Sequence, residues 1–430
     1  MTTSNSNASN APGASKAPSA PSASGLSAAP TAPTSPARSR TSARMAVVVS
    51  CVALFTDMLV YGILIPLLPL MPAVERAGSS ATGLLFAAYA AMMIAVTPLA
   101  GRLVDRRGPR GPLLVALLGL AAACLLFTLD GPYWLLLVSR LLQGAAAGLG
   151  WVASLALIAA SIPLERRGTY LGLAMSMVSV GTLAGPPLAG WISRGHGHAA
   201  PFVLAAAVLL VDGVLRVVFV GRAHAQSDDP ATALDVLRVD GSWPVVVLIA
   251  LGSAVTSAIE PILPVRLAGG LGLDAAGIGL LFALLVITGA VLNPMVGAIL
   301  GRVSPRLLAF VGAVLAVAGL MLLGIGSRLS VVIAGIVCLG AAIALLVAPA
   351  STLIGVQGAR TEPPALGGAY SLYNLAYAAG LTLGPALAGA LTSALGYSAA
   401  CAALAIGVAV VAISGFGRLP RRLSAGATGA

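Results

Sequence analysis

Charge is what this sequence has least of: 9% of its 430 residues are Asp, Glu, Lys or Arg, against about 25% in soluble domains. A chain this apolar, 58% hydrophobic, would show large greasy patches to water, so a lipid bilayer is its natural solvent. Aromatic residues are also few, 5%, while 51 glycines and abundant alanine carry much of the bulk. Small side chains let helices approach closely in lipid, where association depends on packing. The four cysteines, Cys51, Cys124, Cys338 and Cys401, fall inside apolar runs without CxxC or Cys/His spacing. They read as small core residues, not disulfides or metal ligands. The missing GxxxxGK[ST] loop excludes an ATP-driven pump in the same chain. No Ser/His/Asp set or paired metal ligands are visible, so neither enzyme activity nor a cofactor or metal is expected. His196 and His198 flank a glycine, and two histidines without a third ligand read as solvated loop residues.

The net charge is +11, yet the basic residues sit between apolar runs, so nucleic acid is not an expected partner. Residues 1–44, rich in Ser, Ala, Pro, Thr and Asn, are expected to be a disordered tail. No apolar h-region precedes Met45, so an ordinary cleaved signal peptide is not expected. A membrane span needs roughly 20 apolar residues. Runs of that length predict helices near 45–71, 80–100, 112–130, 133–161, 168–193, 200–220, 243–265, 275–300, 307–326, 330–356, 364–394 and 397–416. With the N-terminus assigned inside, 18 of the 24 Lys and Arg residues lie on cytoplasmic segments. Only Arg76, Arg194, Arg266 and Arg328 lie opposite, and Arg140 and Arg216 fall within spans. The asymmetry predicts two cytoplasmic termini and an even number of spans.

An internal repeat supports that count. Gly83-Leu84-Leu85-Phe86-Ala87 recurs as Gly279-Leu280-Leu281-Phe282-Ala283, and Pro66-Leu67-Leu68-Pro69 as Pro261-Ile262-Leu263-Pro264. Gly181, Gly185, Pro186, Leu188, Ala189 and Gly190 recur as Gly380, Gly384, Pro385, Leu387, Ala388 and Gly389. The expected fold is an all-α membrane protein of about twelve helices in two pseudo-symmetric six-helix bundles. The bundles are expected at 45–222 and 243–417, with a cytoplasmic linker at 223–242 and a tail at 418–430. Two parallel halves suit a carrier that rocks around a midplane site.

Between spans two and three runs Gly101-Arg102-Leu103-Val104-Asp105-Arg106-Arg107-Gly108, a turn in which Asp105 can pair with arginines or a helix N-terminus. It resembles the loop signature of the major facilitator superfamily. Arg140-Leu141-Leu142-Gln143-Gly144 resembles that superfamily's span-four motif, and an intramembrane arginine is functional by default. Gly181, Gly185-Pro186 and Gly190 resemble the span-five motif of its drug–proton antiporters. Phe55-Thr56-Asp57-Met58-Leu59, Glu260-Pro261-Ile262-Leu263-Pro264 and Leu209-Leu210-Val211-Asp212-Gly213 are similar to spans one, seven and six of the vesicular monoamine transporter-like branch. That resemblance implies a transporter in which Asp57 engages an amine and Glu260 handles ligand or proton. Tyr89 stands where the branch has a lysine, and Asn374 where it has an aspartate.

The residues themselves point the same way. Only Asp57, Asp212 and Glu260 among thirteen acids lie in spans. Burial penalises the charged form of a carboxylate, so such a group can take up and release a proton. Helical spacing brings Val60 and Tyr61 to the face of Asp57, and Thr256 and Ser257 to that of Glu260. Span eleven offers Tyr370, Tyr373, Asn374 and Tyr377 for cation–π contacts or for interhelical hydrogen bonds. Trp151 reads as cavity wall or as packing. Asp212, four residues before Arg216, reads as half of a local ion pair. The expected function is proton-driven efflux of small cationic or lipophilic compounds across a bacterial cell membrane. The expected functional unit is a monomer whose partners are substrate, protons and lipid. Proton symport of a nutrient is the alternative.

Overall fold

The computed structural model describes residues 36–129, 131–162, 164–197, 199–219, 232–300, 302–362 and 366–419. Helices dominate the described residues, and twelve are long and apolar enough to cross a membrane. Spans one to six are Ala43–Leu70, Ser79–Val104, Arg110–Thr128, Tyr133–Ile158, Tyr170–His196 and Ala200–Val218. Spans seven to twelve are Ser242–Leu271, Ala275–Ile299, Pro305–Ile325, Leu329–Ala359, Gly367–Leu395 and Tyr397–Arg418. The first helix begins at Pro36, so residues 36–44 of the segment expected to be a disordered tail are helical. A short helix, Ala233–Arg238, lies inside the expected linker and is started by a capping box between Thr232 and Asp235. Residues 1–35 and 420–430 of the expected tails, 223–231 of the expected linker, and His198 lie outside the described residues.

Helix packing repeats the sequence repeat. In the first half, span one packs on spans four, five and six, span two on four, and span three on four and six. In the second, span seven packs on ten, eleven and twelve, span eight on ten, and span nine on ten and twelve. Glycines permit the tightest of these approaches. A Cβ at Gly181 would lie 2.5 Å from the Phe55 carbonyl oxygen, and one at Gly185 2.6 Å from Gly62 Cα. The equivalent Gly380 and Gly384 meet span seven in the same way, at Ala250 and Ala254.

The halves meet mainly through spans two with eleven and five with eight. With twelve spans, Pro36 and Leu419 share one end of the bundle, here the near end. The closest inter-half contacts are at the far end. A Cβ at Gly83 would lie 2.3 Å from the Pro385 carbonyl oxygen, and one at Gly279 2.2 Å from that of Pro186. A Cβ at Gly190 would lie 2.3 Å from Ala276 Cα, and one at Gly389 2.9 Å from Gly83 Cα. The motif residues that repeat between halves therefore touch each other across the interface. The Ser80 backbone N–H donates to Ser393 Oγ at 3.0 Å, and Arg194 forms an ion pair with Asp274 through two hydrogen bonds. Toward the near end, Met175, Ser176, Ser179, Asn293, Met295, Tyr370 and Ser371 are exposed.

Span seven is not one helix. Its helix Ser242–Ala258 stops, residues 259–262 form turns, and a second helix runs Leu263–Leu271. Pro261 has no N–H to bond back to Ser257, and its ring crowds that carbonyl. The Ser257 carbonyl instead accepts the Glu260 N–H at 3.2 Å. The break therefore sits on Glu260.

Candidate functional site

Five charged side chains are buried in the spans among the described residues: Asp57, Arg140, Asp212, Arg216 and Glu260. Burying a lone charge is costly, so each must be accounted for by its surroundings. Asp212 and Arg216 satisfy each other. The Arg216 Nε donates to Asp212 Oδ1 at 3.0 Å and Nη2 to Oδ2, while Nη1 donates to the Leu113 carbonyl at 2.6 Å. This is the local pair expected from the i,i+4 spacing. Thr56 adds a bond the spacing does not reveal, its hydroxyl donating to Asp212 Oδ2 at 3.0 Å. That bond ties span six to span one beside Asp57.

Asp57 is 5% exposed. Its Oδ2 accepts the Trp151 indole N–H at 3.0 Å, and its Oδ1 has no partner among the described residues. Trp151 is thus a hydrogen-bond donor to the carboxylate, beyond wall or packing. Beside them lies a small cavity of about 10 Å³, lined by Asp57, Trp151 and Arg216 among others. That is room for about one water molecule.

Glu260 is 4% exposed and accepts the Tyr61 hydroxyl at 2.6 Å. The bond joins the two halves across 199 positions of sequence. Tyr61 does lie one turn from Asp57, as the helical spacing predicts, but its hydroxyl serves the other carboxylate. The expected shared face of Glu260 with Thr256 and Ser257 does not form, because the helix ends at Ala258 before Glu260. Thr256 donates to the Gly252 carbonyl at 2.9 Å and Ser257 to that of Ser253 at 2.9 Å. Both hydroxyls turn back on their own helix.

Arg140 is fully buried. Its Nε donates to the Leu85 carbonyl at 3.0 Å and its Nη1 to Gln143 Oε1 at 2.8 Å. Its guanidinium carbon lies 4.9 Å from the Phe86 ring centroid, 5.0 Å from Tyr89 and 5.5 Å from Tyr61. Tyr61 and Tyr89 are themselves 5.0 Å apart, tilted by 44°. An arginine held over three aromatic faces is stabilised by cation–π attraction. Arg140 Nη2, Gln143 Nε2 and Tyr89 Oη have no partner among the described residues. Tyr89 stands within electrostatic range of Asp57, Arg140, Glu260 and Tyr377, which makes one cluster of these groups.

Other expected residues are less central. Tyr377 is in electrostatic range of Glu260 and stacks on Tyr373 at 6.1 Å. Asn374 is half-buried, while Tyr370 is 52% exposed. Gly144 packs against span two, where a Cβ would lie 2.1 Å from the Tyr89 carbonyl oxygen. In the loop signature, Gly101 is not in a turn. It lies inside the helix Ser79–Arg107 with open space beside it. The turn is made by Gly108, whose φ of 74° favours glycine. Arg106 is exposed, and the Asp105 side chain lies outside the described residues. Among the described residues no group of three or more His, Cys, Asp or Glu is arranged to hold a metal ion.

The chain matches the Major Facilitator Superfamily over residues 50–359 and 243–429. A probable vesicular acetylcholine transporter-B of Danio rerio is 36% identical over 181 residues, 40% of this chain and 37% of that protein. The synaptic vesicular amine transporter of Homo sapiens is 24% identical over 322 residues, 73% of this chain and 62% of that protein. The chain therefore spans only part of the length of these curated relatives. A bacterial homolog of the human lysosomal transporter Spinster, inward-facing and unoccupied, superposes with a TM-score of 0.70 at 14% identity, covering 90% of this chain and 95% of that one. The human organic anion transporter MFSD10 gives a TM-score of 0.61 at 19% identity, covering 88% of this chain and 99% of that one. Those two likenesses concern the fold alone. The vesicular amine and acetylcholine transporters bear out the resemblance read from spans one, six and seven. This multi-pass membrane protein belongs to the Major Facilitator Superfamily.

Proposed function

We propose that the protein is a secondary active transporter that exchanges protons for small cationic or lipophilic compounds and exports them by alternating access. No cofactor beyond the proton gradient is needed. The observation that carries this reading is the pair of buried carboxylates, Asp57 in span one and Glu260 at the break of span seven. They sit one in each half, and Tyr61, one turn from Asp57 on span one, donates to Glu260. A buried carboxylate with a bare oxygen needs a proton or a cation. Asp57 is such a group, and the two ligands compete for it. Competition at one carboxylate gives exchange with minimal machinery.

The packing supports the direction. The glycine face of span five lies on span one and, at Gly190, on span eight, where a rocking motion must act. Contacts between the halves are tight at the far end, which supports a state open toward the near end. The excess of arginine on near-end loops supports a cytoplasmic near end, on this reading in a bacterial cell. The names of the acetylcholine and amine transporters agree with a cationic cargo.

The test is uptake of a labelled organic cation into proteoliposomes under pH gradients of opposite sign. Antiport predicts accumulation on the acidic side. Accumulation on the alkaline side would mean symport, the reading that suits nutrient import.

A further inference from the structure

The five buried charges do not balance. Three carboxylates face two guanidiniums, a net charge of −1 when all are ionised. We infer that this core exchanges one proton for one singly charged cation, with Asp57 as the only exchanging carboxylate and Glu260 held ionised as the counter-charge of Arg140. The inference rests on the antiport reading above and narrows its cargo to monovalent cations.

The partition follows from who holds whom. Asp212 grips Arg216 with both oxygens and cancels it. Arg140 has no carboxylate at ion-pair distance among the described residues, and Glu260 is linked to it through the Tyr61 ring and hydroxyl. The two stand in electrostatic range of each other. Protonating Glu260 would leave Arg140 a buried cation with a bare Nη2. Asp57 is then the surplus anion.

The groups facing Asp57 do not change this count. Span four brings Trp151, span six Arg216, span two Tyr89 and span three Cys124, while Asp212 reaches span one only through Thr56. Span eight has no charged residue, and the charged residues of span five, Arg194 and His196, sit at its far end. Arg216 lines the same small cavity as Asp57, but Asp212 already claims its charge.

With a proton on Asp57 the core is neutral. When a cation enters from the open side, the carboxyl O–H bond breaks, the proton leaves to water, and the carboxylate holds the cation. The core is neutral again. A bare carboxylate leaves it at −1 and a doubly charged cargo takes it to +1. Both carry an uncompensated charge into a closed, low-dielectric site and resist reorientation.

Ethidium and propidium test this, since they share a ring system but carry one and two fixed positive charges. In proteoliposomes with the membrane potential clamped at zero, ethidium should reach a gradient of about tenfold per pH unit. An imposed potential without a pH gradient should not drive it, and propidium should not exchange. A steeper gradient approaching the square of the proton gradient, accumulation driven by potential alone, or exchange of propidium would overturn the charge rule while leaving antiport standing. Failure of every cation in a broad panel to move protons would overturn the antiport reading itself. A variant pair adds a second readout. Glu260→Gln should lose ethidium exchange, and Arg140→Gln combined with it should recover several-fold by restoring the net −1. A double variant that elutes as the same monodisperse peak yet exchanges no better than the single would contradict the pairing of Glu260 with Arg140.

Discussion

Asp57 and Glu260 each keep a single protein hydrogen bond, one to an indole and one to a phenol. Neither donor is charged, so neither neutralises its carboxylate. Asp57→Asn should abolish proton-coupled exchange while thermal stability and elution profile stay near wild type, because the amide keeps the shape and still accepts from Trp151. An Asn variant with full coupling would make Asp57 structural. Tyr61→Phe removes the bond to Glu260 and leaves that carboxylate bare. An unmade buried hydrogen bond costs about 1–3 kcal/mol, so Tyr61→Phe should lower thermal stability by that order, read as a fall in Tm, and an unchanged Tm would mean that this bond does not hold the two halves. The carboxylates themselves were legible in the sequence, since an acid inside an apolar run stands out. Their partners were not. Tyr61 and Trp151 contact them through helix rotation and pairing, and one apolar face of a membrane helix looks much like another. The buried state of Arg140 was legible, but its aromatic cradle was not.

Among the elements, spans two, five, eight and eleven carry the interface between halves, and its far end is made of glycine against backbone. A methyl group at Gly190 would come within 2.3 Å of Ala276 Cα, so Gly190→Ala must push spans five and eight apart there. The variant should favour opening at the far end. A cysteine at position 80, next to the Ser80–Ser393 contact, should then react several-fold faster with a membrane-impermeant maleimide added from that side. Gly172→Ala, beside open space, should leave the reactivity unchanged. Equal reactivity in both variants would mean that this contact does not hold the end closed. Span positions and the repeat were legible because apolar runs and spaced glycines each have one physical reading in lipid. The division of span seven was not. Pro66 and Pro261 occupy matching positions of the repeat, yet the helix of span one continues through Pro66 to Leu67 while that of span seven stops three residues before Pro261. Tyr370, whose spacing suits cation–π contacts or interhelical hydrogen bonds alike, is exposed near the start of span eleven.

For the whole molecule, closure at the far end combines that packing with the Arg194–Asp274 pair, which bridges the halves. Hydrogen bonding to Arg194 and to the Gly277 N–H pulls the Asp274 carboxyl down to about 2. A carboxylate lowered in the closed state contributes above its ordinary value and loses its contribution only as pH falls toward that lowered one. The latch should therefore be insensitive to pH from about 5 to 9, and far-end accessibility in the wild type should stay flat over that range. Asp274→Asn should raise accessibility equally at every pH tested. A wild-type profile that changes near neutrality would assign closure to another group. On the proposed antiport, proton coupling is then assigned to the buried centre and not to the latch.

The most direct test of that assignment uses purified protein in liposomes loaded with a pH dye, with a proton gradient imposed and a panel of organic cations added. The account predicts proton movement out of the acidic compartment on addition of a singly charged cation, lost in Asp57→Asn. Cation-triggered proton movement that persists undiminished in Asp57→Asn would contradict it.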